Sequence, residues 1–203
     1  SLARSEVGAR AVLKGLGIVR LESLSEFLEA LKLLHCCAPL AGNSIASISC
    51  SGGEAGLIAD IGLSYDVQFP KLSEAQKAGL RTVLGPKVAL SYPLGYHTYI
   101  WGDGQAIGDM IRAAMQGEQI LTILIVDFPR SYRCSTAAWD CVLEGATFAL
   151  EKSSAPLAIA ITPLENSPEQ IAEKLTEINI LPMHGLSETL AAVQPAYFIY
   201  TAS

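Results

Sequence analysis

The residues best suited to binding or catalysis lie in a glycine turn that follows an apolar segment. Residues 45–50 run into Ser51-Gly52-Gly53-Glu54, and Gly56 follows as a helical pattern begins. A strand that enters a helix through paired glycines points backbone N–H groups at the space above the turn, and such groups favour an anion. The turn has neither the Gly-Lys-Ser/Thr ending of a P-loop nor the third glycine of a dinucleotide-binding loop. It therefore predicts an anion site, with phosphate as the expected anion.

Ser51 and Glu54 also have the spacing of a capping box, in which the two side chains satisfy backbone donors at a helix start without any ligand. Both interpretations stay open at this point. Glu54 is a carboxylate beside a predicted anion site. If it has a functional role, we expect it to orient a cationic or imidazole group rather than to contact phosphate.

Further candidates follow two later apolar segments. Tyr96 and His97 lie in an aromatic-rich loop, and Asp127 and Arg130 follow a very apolar run. Ligands of open parallel sheets bind at the carboxyl ends of the strands, so these four residues are candidate ligand contacts. The structural alternatives are a loop with its own small core around His97, and a solvated salt bridge at Asp127. His35 and His184 have no partners at metal-ligand spacing, so we assign them no role and expect no metal site.

The elements that must position these residues alternate between apolar runs and helical patterns. Such alternation predicts an α/β fold, with a flavodoxin-like, three-layer, doubly wound parallel sheet. Predicted strands cover residues 45–50, 88–91, 121–128 and 157–161, with a possible short strand at 67–69. Predicted helices cover residues 56–62, 73–84 (capped by Ser73), 105–116, 136–152 and 168–177.

An internal repeat suggests how the chain is divided. Residues 17–30 align with residues 179–192 at an offset of 162, and the alignment extends back to pair Leu13 with Leu175. A chance match between leucine-rich segments is the alternative. We interpret residues 1–38 as a helix–strand–helix appendage that is the tail of a preceding flavodoxin-like domain. Residues 39–43 are then a linker, and residues 44–203 are the complete domain.

Composition narrows the function classes. The 203 residues suit one domain with an appendage, and the net charge of −6 argues against a nucleic-acid surface. The longest apolar run, residues 120–126, is too short to span a membrane, and no secretory signal peptide opens the chain. The five cysteines form no C-x-x-C pair, which favours neither a disulfide framework nor a zinc site. We expect a reduced, cytoplasmic protein.

Several of these motifs, taken in order, resemble the NDP-forming acyl-CoA synthetases, the superfamily of ADP-forming acetyl-CoA synthetase and succinyl-CoA synthetase. The resemblance extends over nearly the whole chain, and residues 17–24 are similar to the close of the family's preceding domain. The matching motifs are Ser-Gly-Gly-x-x-Gly-x-x-x-Ala-Asp at 51–60, Pro93-Leu94, Tyr96-His97-Thr98, residues 100–103, and Asp127-Phe-Pro-Arg130 with Cys134.

In that family, two flavodoxin-like domains hold a phosphohistidine between their helix N-termini, and the acyl phosphate that forms reacts with CoA. The resemblance implies that Ser51, Gly52, Gly53 and Gly56 bind the phosphate and that Glu54 is the catalytic residue beside it. It also implies that Tyr96, His97, Asp127 and Arg130 contact the acyl substrate. Positioning and electrostatics are most of what a protein contributes to phosphoryl transfer.

The family's phosphorylated histidine lies upstream of the segment matched by residues 2–5, so the resemblance implies an inactive isolated chain. No cofactor is expected on this domain alone. CoA, ATP or ADP and Mg²⁺ belong to the complete enzyme. The expected partners are the preceding CoA-binding and phosphohistidine domains, an ATP-grasp domain or subunit, and the acyl substrate. A homodimer stays open as an alternative.

The chain departs from the family at one turn. The family usually has Asn-Pro-Leu-Asp where this chain has Tyr92-Pro93-Leu94-Gly95. This loss of an amide and a carboxylate leaves an alternative in which the domain is a degenerate, non-catalytic packing module. A free flavodoxin-like cofactor binder is a third hypothesis, and it predicts a yellow protein or one that binds FMN.

Overall fold

The computed structural model describes residues 6–37, 40–151, 153, 155–163 and 166–202. Within them, two initial helices are followed by strands that are each separated from the next by one or two helices. The elements are α1 (Glu6–Gly15), α2 (Leu24–Cys37), β1 (Ile45–Ser49), α3 (Gly52–Gly62), α4 (Glu74–Leu84), β2 (Leu94–Gly95), α5 (Gly104–Ala114), β3 (Leu121–Ile125), a 3-10 turn (Ala137–Trp139), α6 (Asp140–Leu150), β4 (Leu157–Ile161), α7 (Glu169–Glu177), β5 (Leu181–His184) and α8 (Leu186–Ala202).

The five strands form one parallel sheet in the order β2-β1-β3-β4-β5. Every residue of β1, β3 and β4 is buried, as expected for strands that helices cover on both faces. The predicted flavodoxin-like, doubly wound fold is therefore confirmed. The chain runs outward from β1 to β2 and then returns across β1 to β3. The carboxyl ends of β1 and β3 thus flank the point where the winding reverses, which is where such sheets bind ligands.

Each face of the sheet has its own apolar core. On one face, Ile48, Leu124 and Ile159 pack with residues of α4, α5, α6 and α7. On the other face, Ile45 and Ile123 pack with residues of α2, α3 and α8. These residues alternate along the strands because successive side chains of a strand point to opposite faces. Each fully buried Leu or Ile side chain contributes about 1.5–3 kcal/mol through removal of apolar area from water.

The second strand differs from the prediction. Residues 88–91 do not pair, and β2 is instead the short Leu94–Gly95, which lies beside Ile48 and Ser49 of β1. Among residues 88–91 only Val88 is fully buried, and its carbonyl accepts a hydrogen bond from Arg81 at 3.0 Å instead of from a strand. Pairing begins after Pro93, which has no N–H to donate.

Several other boundaries also shift. The possible strand at 67–69 is a single bridge from Gln68 to Ser44. The strand predicted at 121–128 ends at Ile125, α3 begins at Gly52 rather than at residue 56, and a 3-10 turn precedes α6. Residue 152, the predicted end of that helix, lies outside the described residues. Ser73 caps α4 as predicted, since its Oγ accepts from the Gln76 N–H at 3.2 Å and Gln76 Oε1 accepts from the Ser73 N–H at 2.9 Å.

The N-terminal helices dock on the sheet. Helix α2 buries Ala30 and Leu33 in the core that it shares with α8. The strand predicted between α1 and α2 does not form, because residues 16–23 have turns, bends and irregular backbone and pair with no strand of the sheet. Of the predicted linker, residue 39 lies outside the described part of the chain. Leu40 is buried, and its N–H donates to the Ala196 carbonyl at 3.1 Å.

The repeat has a counterpart in the backbone. Gly17 and Asn179, which are 162 residues apart, both adopt positive φ, at 68° and 59°. The next residues close the same type of helix end, because Ile18 N–H donates to Leu13 O at 2.9 Å and Ile180 N–H to Leu175 O at 2.8 Å. Helices α2 and α8 also begin at equivalent positions. The sequence repeat is therefore a repeat of local structure.

In the described part of the chain, the helices are too short or too polar to cross a membrane. The five cysteines carry free thiols. No three His, Cys, Asp or Glu side chains among the described residues converge as metal ligands.

Candidate functional site

A cleft of about 280 Å³ opens at the carboxyl ends of β1 and β3, where the winding of the sheet reverses. Its position agrees with the general location of ligand sites in such folds. The residues that line it are Cys50, Ser51, Glu54, Thr98, Trp101, Ile125, Val126, Asp127 and Trp139. Of the residues predicted from the sequence, Ser51, Glu54 and Asp127 are therefore brought together.

The glycine turn forms the start of α3. Ser51 is the N-cap, and its Oγ accepts a hydrogen bond from the Glu54 N–H at 3.3 Å, as in the serine half of the predicted capping box. Gly52 and Gly53 are exposed, and the first N–H groups of a helix have no carbonyl within the helix to bind. A Cβ on Gly53 would meet only Ser51 Oγ, at 3.4 Å, and one on Gly56 would meet nothing within 4 Å. The serine half of the capping box thus coexists with an open helix N-terminus, and the anion site stays a prediction.

Close packing against β2 constrains the position of the glycine turn. The Tyr96 N–H donates to the Ser49 carbonyl at 2.9 Å, which holds the end of β2 against β1. A Cβ on Gly95 would lie 3.2 Å from Gly52 Cα, so a side chain there would push against the turn. Gly95 therefore lies at a close backbone approach, which leaves little room for a side chain.

Glu54 and Asp127 place two carboxyl groups in the cleft. Burial raises the pKa of Glu54, and the negative charge of Asp127 raises it further, while the Ser51 N–H opposes the rise. Asp127 is held in place because its Oδ1 accepts from the Thr162 N–H at 2.7 Å. The residues described as lining the cleft include no lysine or arginine. The cleft thus lacks side-chain cations and favours a proton or a cationic group near Glu54.

Two tryptophans form an aromatic wall. Trp101 and Trp139 meet edge to face with ring centroids 5.7 Å apart. The Trp139 indole N–H donates to the Asp127 carbonyl at 2.8 Å, which ties the 3-10 turn to the end of β3. Trp139 was not among the site residues predicted from the sequence. It lies 12 residues beyond Asp127 in a segment with no motif, so only the folded chain brings it to the cleft.

Tyr96 is not on the surface of the cleft. Its side chain is fully buried in the core, where burial raises its pKa, and its hydroxyl hydrogen-bonds Cys50. Cys50 lines the cleft and was not predicted as a site residue. Burial raises the pKa of its thiol, and the charge of Glu54 adds to this rise. Tyr96 therefore supports the cleft from below instead of contacting a ligand.

His97 and Arg130 lie outside the cleft lining. His97 is exposed, has φ of 59°, and stacks edge to face on Tyr99 at 5.7 Å. A Cβ on Gly52 would be 3.6 Å from its ring, so His97 flanks the glycine turn. Arg130 Nη1 donates to the Tyr132 hydroxyl at 3.0 Å in the loop that follows β3. Hydrogen bonds from Arg130 and Arg133 lower the pKa of Tyr132.

Solved structures share this architecture. Over 98% of this chain, PH0766 from Pyrococcus horikoshii OT3 aligns with a TM-score of 0.79 and 20% identity. The dinucleotide forming acetyl-coenzyme A synthetase 1 of Ca. Korarchaeum cryptofilum, in complex with phosphate and ADP, aligns over 100% of this chain with a TM-score of 0.76 and 16% identity. Its apo form aligns over 100% with a TM-score of 0.75 and 16% identity.

The chain shares the fold of these proteins. It covers 45% of the Pyrococcus chain, and 42% and 45% of the two Korarchaeum chains, so it spans less than half of their length. No protein-family model matches the sequence, and no curated protein does.

Proposed function

We propose that this chain is a domain of an NDP-forming acyl-CoA synthetase and that its cleft is one wall of a phosphohistidine site. In this proposal the glycine turn at Ser51, Gly52, Gly53 and Gly56 faces the phosphoryl group, and Glu54 orients the imidazole that carries it. The histidine comes from outside the chain. The observation that carries the proposal is the pairing of an open helix N-terminus with two carboxyl groups in one cleft.

The electrostatics favour a phosphohistidine over free phosphate. Backbone N–H groups and the positive end of α3 suit the phosphoryl oxygens. A free phosphate would find no cationic side chain among the described lining residues and would face Glu54 and Asp127. An imidazole has an N–H that a carboxylate can accept, and the Trp101–Trp139 wall suits its ring.

The test uses the longer protein that contains this domain. Gly53→Val fills the open space before the turn, and Glu54→Gln removes the carboxylate at nearly constant shape. We expect either change to lower histidine phosphorylation by at least about tenfold, because each removes part of the electrostatic stabilisation. Ala78→Val, on the exposed face of α4, is a matched control that should leave phosphorylation unchanged. Normal phosphorylation in both site variants would show that the cradle role is wrong.

Two observations favour the second candidate, a non-catalytic packing module. The Tyr92 hydroxyl donates to the Ala114 carbonyl at 3.0 Å and accepts from Gln76 at 3.3 Å, so this side chain is committed to the core. Gly95 is committed to the approach of Gly52. Both positions where the resembled family has polar ligand-edge groups thus serve packing here. A packing module predicts that Glu54→Gln leaves turnover of the longer protein unchanged.

We also propose that residues 1–38 end a preceding domain of the same type, joined through residues 39–43 to the domain at 44–203. Exposure supports this division. The apolar residues Ile18, Leu24, Leu28 and Leu31 are 50%, 72%, 51% and 47% exposed, whereas their repeat partners Ile180, Leu186, Leu190 and Val193 are 1%, 3%, 0% and 0% exposed. The equivalent face is buried in the complete domain, so a similar sheet is the expected cover for α2.

A paired measurement tests the division. Leu28→Asp should leave the stability of this chain unchanged, because Leu28 is half exposed here. In the longer protein the same change should cost about 2–3 kcal/mol, since it buries a charge against the preceding domain. Leu63→Asp, at a residue that is 87% exposed, should be neutral in both. Equal effects of Leu28→Asp in both proteins would rule out the preceding domain as its cover.

A further inference from the structure

A second group of reactive side chains lies at the same edge of the sheet. His184 is the last residue of β5, and its Nε2 is 2.6 Å from the hydroxyl of Ser167, which stands just before α7. On its other side, His184 Nδ1 is 3.3 Å from Glu29 Oε1 of helix α2. A hydroxyl, an imidazole and a carboxylate in this order are the arrangement of a nucleophile, its base and the acid that orients the base.

Glu29 is suited to the orienting role. Its side chain is buried. Burial raises the pKa, but hydrogen bonds from His184 and Lys32 and the charge of Lys32 outweigh burial, so the pKa of Glu29 is lowered. Glu29 Oε2 also accepts from the His184 backbone N–H at 3.2 Å. Glu29 is therefore an ionised carboxylate that hydrogen-bonds both the ring and the backbone of His184.

The position of Lys32 affects which tautomer the His184 imidazole adopts. The ring can act as a base toward Ser167 only when Nδ1 carries the proton and donates it to Glu29. Lys32 Nζ lies 3.1 Å from Nδ1 and favours the opposite tautomer when it donates there. Lys32 has other acceptors, however, in Glu29 Oε2 at 2.6 Å and in the Pro182 carbonyl at 2.8 Å. The base-competent tautomer therefore leaves Lys32 with partners.

The hydroxyl can be reached from solvent and has donors beside it. The His184 side chain is 27% exposed, and Ser167 is half-buried. Helix α7 begins two residues after Ser167, and its cap residue, Pro168, provides no side-chain hydrogen bond to the first turn. The N–H groups of the exposed residues Glu169 and Gln170 are thus free of capping and suit an oxyanion that forms near Ser167.

We propose that Ser167 is an acyl-accepting nucleophile, with His184 as its general base and Glu29 as a positioning residue. The Ser167 Oγ–H proton passes to His184 Nε2 as Oγ attacks the carbonyl carbon of an ester or thioester. The imidazolium returns that proton to the leaving alcohol or thiol, and the acyl group stays on Ser167. Water, deprotonated by the same nitrogen, then attacks the acyl carbon, and the imidazolium returns this proton to Ser167 Oγ as the Oγ–C bond breaks and the acid leaves. This site is separate from the cleft, and it exists only when α2 is docked.

A fluorophosphonate probe tests the nucleophile directly, because attack by the serine oxygen displaces fluoride and leaves a stable adduct. Intact mass and peptide mapping should find one adduct, at Ser167, and none in S167A. H184Q should slow labelling at least about 100-fold, the contribution expected of a general base. S135A is the matched control, since Ser135 also precedes a helical turn and its Oγ accepts only from the Ala137 N–H among the hydrogen bonds found in the described residues. S135A should be labelled at Ser167 at the wild-type rate.

Two variants separate a chemical role from a packing role. K32M removes the donor that competes for Nδ1, so labelling should become several-fold faster although a packing contact is lost. E29Q should slow labelling by about tenfold, because the ring loses its orienting charge. Circular dichroism must show that each variant is folded. No Ser167 adduct in the wild-type chain, or an equal rate in folded H184Q, overturns the proposal, and slower labelling in folded K32M overturns the assigned tautomer.

Discussion

Glu54 and Glu29 lie at the same edge of the sheet, and their environments act on them in opposite directions. Both lose hydration by burial, which by itself raises a carboxyl pKa. Glu54 faces a second carboxylate, Asp127, and its pKa is raised. Glu29 faces Lys32 and His184, and its pKa is lowered. Burial acts in the same direction on both groups, so the partners decide whether the net pKa shift is reversed, as at Glu29, or increased, as at Glu54.

The difference separates a cluster whose charges are paired within the chain from a cleft whose carboxyl groups are not. Around Glu29 each charge has a partner within the chain, and the carboxylate joins α2 to β5. Around Glu54 the charge that acts on its pKa is that of Asp127, which has the same sign, and both residues line the cleft. A carboxyl group left in this state stabilises the fold little and is available to a ligand that brings positive charge or an N–H donor.

The largest expected effect is on stability. Glu29→Ala should lower the free energy of unfolding by about 3 kcal/mol, because it leaves Lys32 and His184 without their shared partner. Glu54→Ala should leave it unchanged or slightly higher, since it removes a repulsion. Urea unfolding measures both. Glu173→Ala, an exposed position on α7, should change it by less than about 0.5 kcal/mol. Equal losses at Glu29 and Glu54 would contradict the comparison.

The pH dependence should differ in sign. The lowered pKa of Glu29 gives stability that is present above the usual value of 4.5 and is lost as the pH falls through the folded-state pKa. The raised pKa of Glu54 gives stability that is present below 4.5 and is lost as the pH rises through the folded-state pKa. Unfolding midpoints are measured from about pH 7 to about pH 3. Their fall with decreasing pH should be shallower than wild type in Glu29→Gln and steeper than wild type in Glu54→Gln. The same slope in both variants would be inconsistent with these shifts.

The smallest expected effect isolates the repulsion within the cleft. Asp127→Asn keeps an oxygen that can accept from the Thr162 N–H but removes the charge, so the pKa of Glu54 should fall. Carbon-13 NMR of the Glu54 carboxyl group measures this shift. Asp66→Asn is the control, because Asp66 bonds Asn43 at the opposite end of β1. An unshifted Glu54 in Asp127→Asn would leave burial as the sole cause.

Continuous apolar runs made most of the fold predictable. Strands β1, β3 and β4 are buried on both faces, so their sequences stand out, and the alternation with helices fixes a parallel sheet. Strand β2 was misplaced because only two residues pair, and their position depends on contacts with β1 and α3 rather than on local pattern.

The cleft was partly predictable for a related reason. Parallel strands bring their carboxyl ends to one edge, which is enough to gather Ser51, Glu54 and Asp127. No local pattern marks the second cluster. Glu29 and His184 are 155 residues apart, so their contact depends on where α2 docks. The sequence repeat predicted that α2 belongs to such a domain, but not which residues it would touch.

The docking of α2 also bears on how the chain can be divided. Helices α2 and α8 occupy equivalent places in the repeat yet pack on each other, and Glu29 and Lys32 add hydrogen bonds to the backbone of β5. These contacts are non-covalent, so they do not require an intact backbone between α2 and β1. We therefore expect the two pieces of a polypeptide cut there to reassociate, as those of a split protein do. If they do, this boundary is a place where one gene can divide into two and the products still assemble.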